Sequence, residues 1–202
     1  MSTSRIEAFS DGVFAIAITL LVLEIHVPEH PEKGLGQALL DQWPAYASYV
    51  VSFFVIGIIW VNHHAVFDHL LRADRPLLFL NLLLLLFVAL LPWPTNLMAT
   101  YMQEGGADER VAAVVYSGTM TAMGAAFTAL WTYASGHGRL LGETLSPPEI
   151  RRLTQRFVVG APVYMLSMLV ALVSAPACLA LNALLAVYYA LPTGGAMPHR
   201  MV

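Results

Sequence analysis

Two groups of polar side chains interrupt otherwise apolar sequence. Arg5, Ser10 and Asp11 open the stretch RIEAFSDGVFAIAITLLVL, after which Gly12 to Leu23 carry a single polar side chain, Thr19. Trp60, Asn62, His63 and His64 close a second apolar run as WVNHH. A carboxylate beside a hydroxyl, or imidazoles beside an amide, could move protons, ligate a metal or hydrogen-bond to one another. The first two uses lack support. There is no HExxH, no GxSxG and no defensible Ser–Lys pairing, so nothing points to an enzyme. Neighbouring positions on a helix point apart, which makes His63 and His64 a poor ligand pair. His64 and Asp68 are better spaced, but two ligands are too few for a tight site. No bound metal and no cofactor is expected. His26 and His30 read as ordinary loop residues, and Cys178, the single cysteine, as a small core hydrophobe.

The setting of these groups is a membrane. The chain is 58% hydrophobic and 11% charged, with mean hydropathy +0.67. A soluble domain would carry about 25% charged residues. The net charge of -3 argues against nucleic acid as a partner. A spanning helix needs about 20 mostly apolar residues. The runs predict an all-α membrane protein with six spans, at roughly 6–27, 44–68, 76–101, 110–135, 157–173 and 176–191. The third should bend at its outer end, where Pro92 and Pro94 interrupt it. The apolar stretch 157–191 is too long for one ordinary span and is divided at Ser174-Ala175-Pro176. Ser146-Pro147-Pro148-Glu149 has the composition of a helix start and predicts a surface helix leading into the fifth span. The tail from Pro192 has no periodicity and should be loose. No internal repeat is visible, so the chain reads as a single domain.

Charge sets the orientation. With the N-terminus inside, the inner segments hold Arg5, Arg72, Arg75, Arg139, Arg151, Arg152, Arg156 and Arg200, against Lys33 and Arg110 outside. That asymmetry follows the positive-inside rule and puts both termini in the cytoplasm, with the chain in the cell (plasma or inner) membrane. Glu29, Glu32, Asp41, Glu104, Asp108 and Glu109 make the outer loops acidic.

At about 100° per position, Gly12, Ile16, Thr19, Leu20 and Leu23 share one face of the first helix, and Ser10 and Asp11 point away from it. Charge within a span is costly and marks a pathway or a specific partner. The acid should therefore face neighbouring helices, leaving the apolar stripe for a symmetry axis or for lipid. Arg5-x-x-x-Phe9-Ser10-Asp11 at the head of a first span, followed by GVFAIAITLLVLEI, resembles the signature of the transmembrane protein 175 family of potassium channels. The resemblance covers nearly the whole chain through the six-helix plan. It implies a homotetramer in the bilayer that passes potassium and other monovalent cations, with the first helices around a central pore. By position, the family's narrow apolar ring falls on Ile16 and the further layers on Thr19 or Leu20 and on Leu23. There is no TVGYG filter in this sequence. Selectivity would then come from apolar rings and the Thr19 hydroxyl, and an apolar constriction can gate by dewetting.

With the N-terminus inside, WVNHH lies at the membrane level of Ser10 and Asp11. Buried polar groups need partners, so a network should join Ser10 and Asp11 to some of Trp60, Asn62, His63 or His64. Arg5 should pair with an acid or cap carbonyls near the inner surface, and Asn81, alone in the third helix, should bond across helices. The competing reading is an ion- or proton-coupled secondary transporter. Against it, the chain shows no repeat, and its deepest charge, Asp11, lies near one end of a span instead of at mid-membrane.

Overall fold

The computed structural model describes residues 3–29, 34–136, 140–142 and 145–190. His30, Glu32, Lys33, Arg139, Arg200 and the tail from Pro192 lie outside the described residues. Among the described residues the named elements are all helices.

The first span is α1 (Thr3–Leu20), which tightens into a 3-10 turn at Leu21–Glu24. A short helix, α2 (Leu35–Asp41), precedes α3 (Trp43–Phe67). The third span is two helices, α4 (Arg75–Leu90) and α5 (Pro92–Tyr101). Asp74 starts α4 by accepting the Leu77 N–H at 3.0 Å, with Pro76 in the first turn, where a missing N–H costs nothing. Pro92 cannot donate, and the ladder breaks there, as the prolines predict. Gly105 and Gly106, at φ 71° and 76°, turn the chain into α6 (Gly106–Gly136). That conformation favours glycine because it has no Cβ.

The fifth and sixth spans differ in detail from the sequence reading. The surface helix and the fifth span are one continuous α7 (Pro147–Ala171). Glu149 accepts both the Ser146 N–H (2.7 Å) and the Ser146 hydroxyl (2.6 Å) at its start. The chain turns at Leu172–Ser174 and returns as α8 (Ala175–Ala190). α8 runs antiparallel to α7, with Arg156 near the start of α7 donating to the Tyr189 carbonyl near the end of α8 (2.6 Å), while Glu109 of α6 accepts from the Ala175 N–H (3.2 Å). Among the described residues five helical segments are long and apolar enough to cross a membrane, and α8, with 16 residues, is shorter.

Loop contacts define the two ends of the bundle. At one end the α3–α4 and α6–α7 connections join in a short antiparallel bridge, Leu71 N–H to the Leu140 carbonyl (2.9 Å) and Gly142 N–H to the His69 carbonyl (3.0 Å). At the opposite end Gln103 donates to the Asp41 carbonyl (3.0 Å), linking α2 to the end of α5. α6 is the central post, packed on α4, α5, α7 and α8. Its buried face alternates small and large residues, Ala113, Tyr116, Ser117, Met120, Met123, Ala126, Phe127 and Leu130. Alanine and serine admit neighbouring helices closely, and the large side chains fill what remains.

Candidate conduction path and the polar cluster behind it

α1 has two faces that differ in chemistry as well as in burial. Ile6, Ser10, Phe14, Ala17 and Leu21, at helical spacing, are buried against the bundle. On the other side Arg5, Phe9, Gly12, Ile16, Thr19, Leu20 and Leu23 are exposed. Ile16 is 61% exposed and Leu23 68%, with Leu20 at 40%. The exposed face is thus a stripe running the length of the helix, with a guanidinium at one end and no charge from Gly12 to Leu23. The Thr19 hydroxyl donates to the Ile16 carbonyl at 2.9 Å. Its proton is committed, so toward the stripe it presents oxygen lone pairs, the half of a hydroxyl that a cation can use.

Behind the stripe the two polar groups meet. Ser10, fully buried, accepts from Asn81 Nδ2 of α4 at 3.0 Å. Asn81 Oδ1 lies 2.8 Å from His63 Nε2 of α3, which makes that nitrogen the donor. The His63 ring stacks on Phe67 (4.3 Å between centroids) and meets the edge of Phe14 (5.4 Å). One amide therefore ties three helices together in an apolar interior where an unpaired group is expensive. Beside this chain of bonds Asp11 accepts from Trp60 Nε1 at 2.8 Å. Trp60 in turn stacks on His64 (6.3 Å between centroids), and His64 lies 3.8 Å from Asp68.

The structure does not bring every expected residue into this cluster. Asn62 turns away: its Nδ2 donates to the Ile58 carbonyl of its own helix (2.8 Å), and it lines an apolar cleft with Val55, Ile59, Phe157 and Tyr189. Arg5 is exposed on the stripe and takes part in no ion pair among the described residues. Asp11 finds Trp60 and not His64. No group of three or more His, Cys, Asp or Glu among the described residues could hold a metal.

A residue missed from sequence is Glu24. Its carboxylate accepts from Asn96 Nδ2 of α5 and fastens the far end of α1. The signal was a carboxylate directly after Leu23, at the exit of an apolar run, where it needs a partner. α1 is consequently held at both ends, by Ser10 and Asp11 at one and Glu24 at the other, while the stripe between them stands exposed. Such an arrangement fixes the helix's rotation and presents a rigid apolar surface.

Residues 5–92 match the family model described as endosomal/lysosomal potassium channel TMEM175. A potassium channel of Streptomyces collinus is 53% identical over 93% of this chain and 91% of its own length. The crystal structure of a lysosomal potassium-selective channel TMEM175 homolog from Chamaesiphon minutus superposes with TM-score 0.84 at 39% identity, covering 93% of this chain and 96% of that one. The endosomal/lysosomal proton channel TMEM175 of Gallus gallus is 37% identical over 73% of this chain, which spans 30% of that longer protein.

Proposed function

This chain belongs to the TMEM175 family, and from that premise we propose that it is a potassium channel whose α1 stripe lines the conduction path of a homotetramer. The observation that carries the pore assignment is the two-faced α1. Ser10 and Asp11 are hydrogen-bonded to the neighbouring helices, while Ile16, Leu20 and Leu23 stand exposed on one line. Four copies around an axis would bury that line on itself and make successive apolar rings, with Ile16 the first ring beyond Gly12. The N-terminus and the Leu70–Leu141 bridge face the cytoplasm on the positive-inside argument, and the six crossings return the C-terminus to the same side.

Conduction through apolar rings is controlled by dehydration. A constriction lined by isoleucine offers no ligand to replace water, so an ion crosses by shedding part of its shell. Potassium holds its water less tightly than sodium and loses less at such a ring. The Thr19 oxygen then offers the first acceptor past Ile16. Permeation of other monovalent cations follows from the same picture, since nothing in it discriminates sharply.

Purified protein in liposomes under a potassium gradient should give single-channel currents that reverse near the potassium equilibrium potential. Saturable flux that stops when a proton or sodium gradient is collapsed would overturn the channel reading in favour of a coupled carrier.

A further inference from the structure

The short helix α2 (Leu35–Asp41) carries an apolar stripe that the bundle leaves uncovered. Leu35, Leu39 and Leu40 are 56%, 41% and 70% exposed, and no residue of the helix is buried. At 100° per residue these leucines cover an arc of about 140°. The polar side chains occupy the other side, where Gln37 donates to Asp41 Oδ1 at 2.8 Å. Gln37 and Asp41 are exposed as well, and Ala38 is the one half-buried residue of α2. The Asp41 carbonyl takes the Gln103 amide, and Asp41 lines a cavity of about 230 Å³ with Glu24, His26, Gln42 and Asn96. A surface helix of a soluble protein would turn such a stripe into the core.

The geometry points to the outer leaflet of the bilayer as the surface that covers this leucine arc, with α2 lying in the headgroup region as an interfacial helix. Depth supports it. About 20 residues of helix cross the hydrocarbon, and counting back from the buried His63 reaches Trp43 and Pro44, where α3 begins. Trp43 is then at the level where tryptophans anchor spans, and α2 lies immediately above. The arc carries no charge and no hydrogen-bonding side chain, which suits the boundary between headgroups and acyl chains. Through the Asp41–Gln103 and Glu24–Asn96 contacts, the leaflet would thereby hold the outer cavity at the end of α1.

The test is site-directed spin labelling of the full chain in liposomes, on a Cys178→Ala background. A nitroxide at Leu40→Cys should relax more strongly with oxygen than with a water-soluble nickel chelate, and one at Gln37→Cys should show the reverse. Equal, water-like access at the two positions would overturn the proposal. So would a Leu40 label protected from both reagents and broadened by a second label, which would assign the arc to another copy of the chain. Neither readout depends on ion conduction, so the result stands whether or not the pore assignment does.

Discussion

At the scale of single residues, the polar groups and the apolar groups of α1 exchange the roles that their chemistry first suggests. Asp11 is the most conspicuous ion ligand in the sequence, yet its carboxylate is occupied by the Trp60 indole. Ile16 has no polar atom on its side chain, yet it stands at the narrowest layer of the proposed path. Ile16→Ala is expected to raise single-channel conductance severalfold and to lower the potassium-to-sodium permeability ratio, because a wider ring demands less dehydration. An unchanged ratio in bi-ionic reversal potentials would sink the dehydration account. Asn81 makes the complementary case for stability. Asn81→Leu strands the Ser10 hydroxyl and the His63 donor in the interior, which should cost about 1–3 kcal/mol. Replacing all three polar partners, Ser10→Ala, His63→Leu and Asn81→Leu, should recover most of the thermal midpoint, since no donor then remains unpaired. If the triple variant melts as low as the single one, stranded hydrogen bonds are not the cause.

At the scale of elements, helix placement depends on close approaches that composition does not reveal. Gly160 of α7 is one. A Cβ at that position would sit 2.6 Å from the Tyr189 hydroxyl and 3.4 Å from its ring carbon. Tyr189 is itself held, its hydroxyl donating to the Arg156 carbonyl at 3.2 Å. Gly160→Ala should therefore push α7 and α8 apart and destabilise the fold by about 1–3 kcal/mol. Adding Tyr189→Phe removes the clashing atom and should restore much of the loss in a denaturant titration. No rescue would mean that Gly160 matters through helix propensity and not through the α8 contact. By contrast a methyl group added at Gly12, on the exposed stripe, would meet nothing within 4 Å, so within one chain that glycine answers no such demand.

At the scale of the whole molecule, one chain leaves the α1 stripe uncovered, and the proposed tetramer would cover it. Copper-catalysed oxidation should cross-link Ile16→Cys pairwise between copies, giving a two-chain product on a denaturing gel. Leu83→Cys, exposed on α4 and outside the stripe, should not cross-link. Equal cross-linking at both would place α1 off the axis. Much of this molecule was legible in the residues themselves. Hydropathy marked the apolar runs, Pro92 marked the break in the third of them, and the 100° spacing separated Ile16 and Leu23 from Ser10 and Asp11. These succeed because burial and helical periodicity are local properties that recur every few residues. What the sequence left open was pairing across helices. Asp11 could meet any of the WVNHH side chains, and only the packing of α1 on α3 and α4 chose Trp60 for Asp11, drew Asn81 between Ser10 and His63, and turned Asn62 toward another cleft. The continuity of α7 and the Glu24–Asn96 tie were likewise decided by tertiary structure. A hydrogen bond is settled by distances of a few tenths of an ångström between elements far apart in the chain, and no local pattern carries that information.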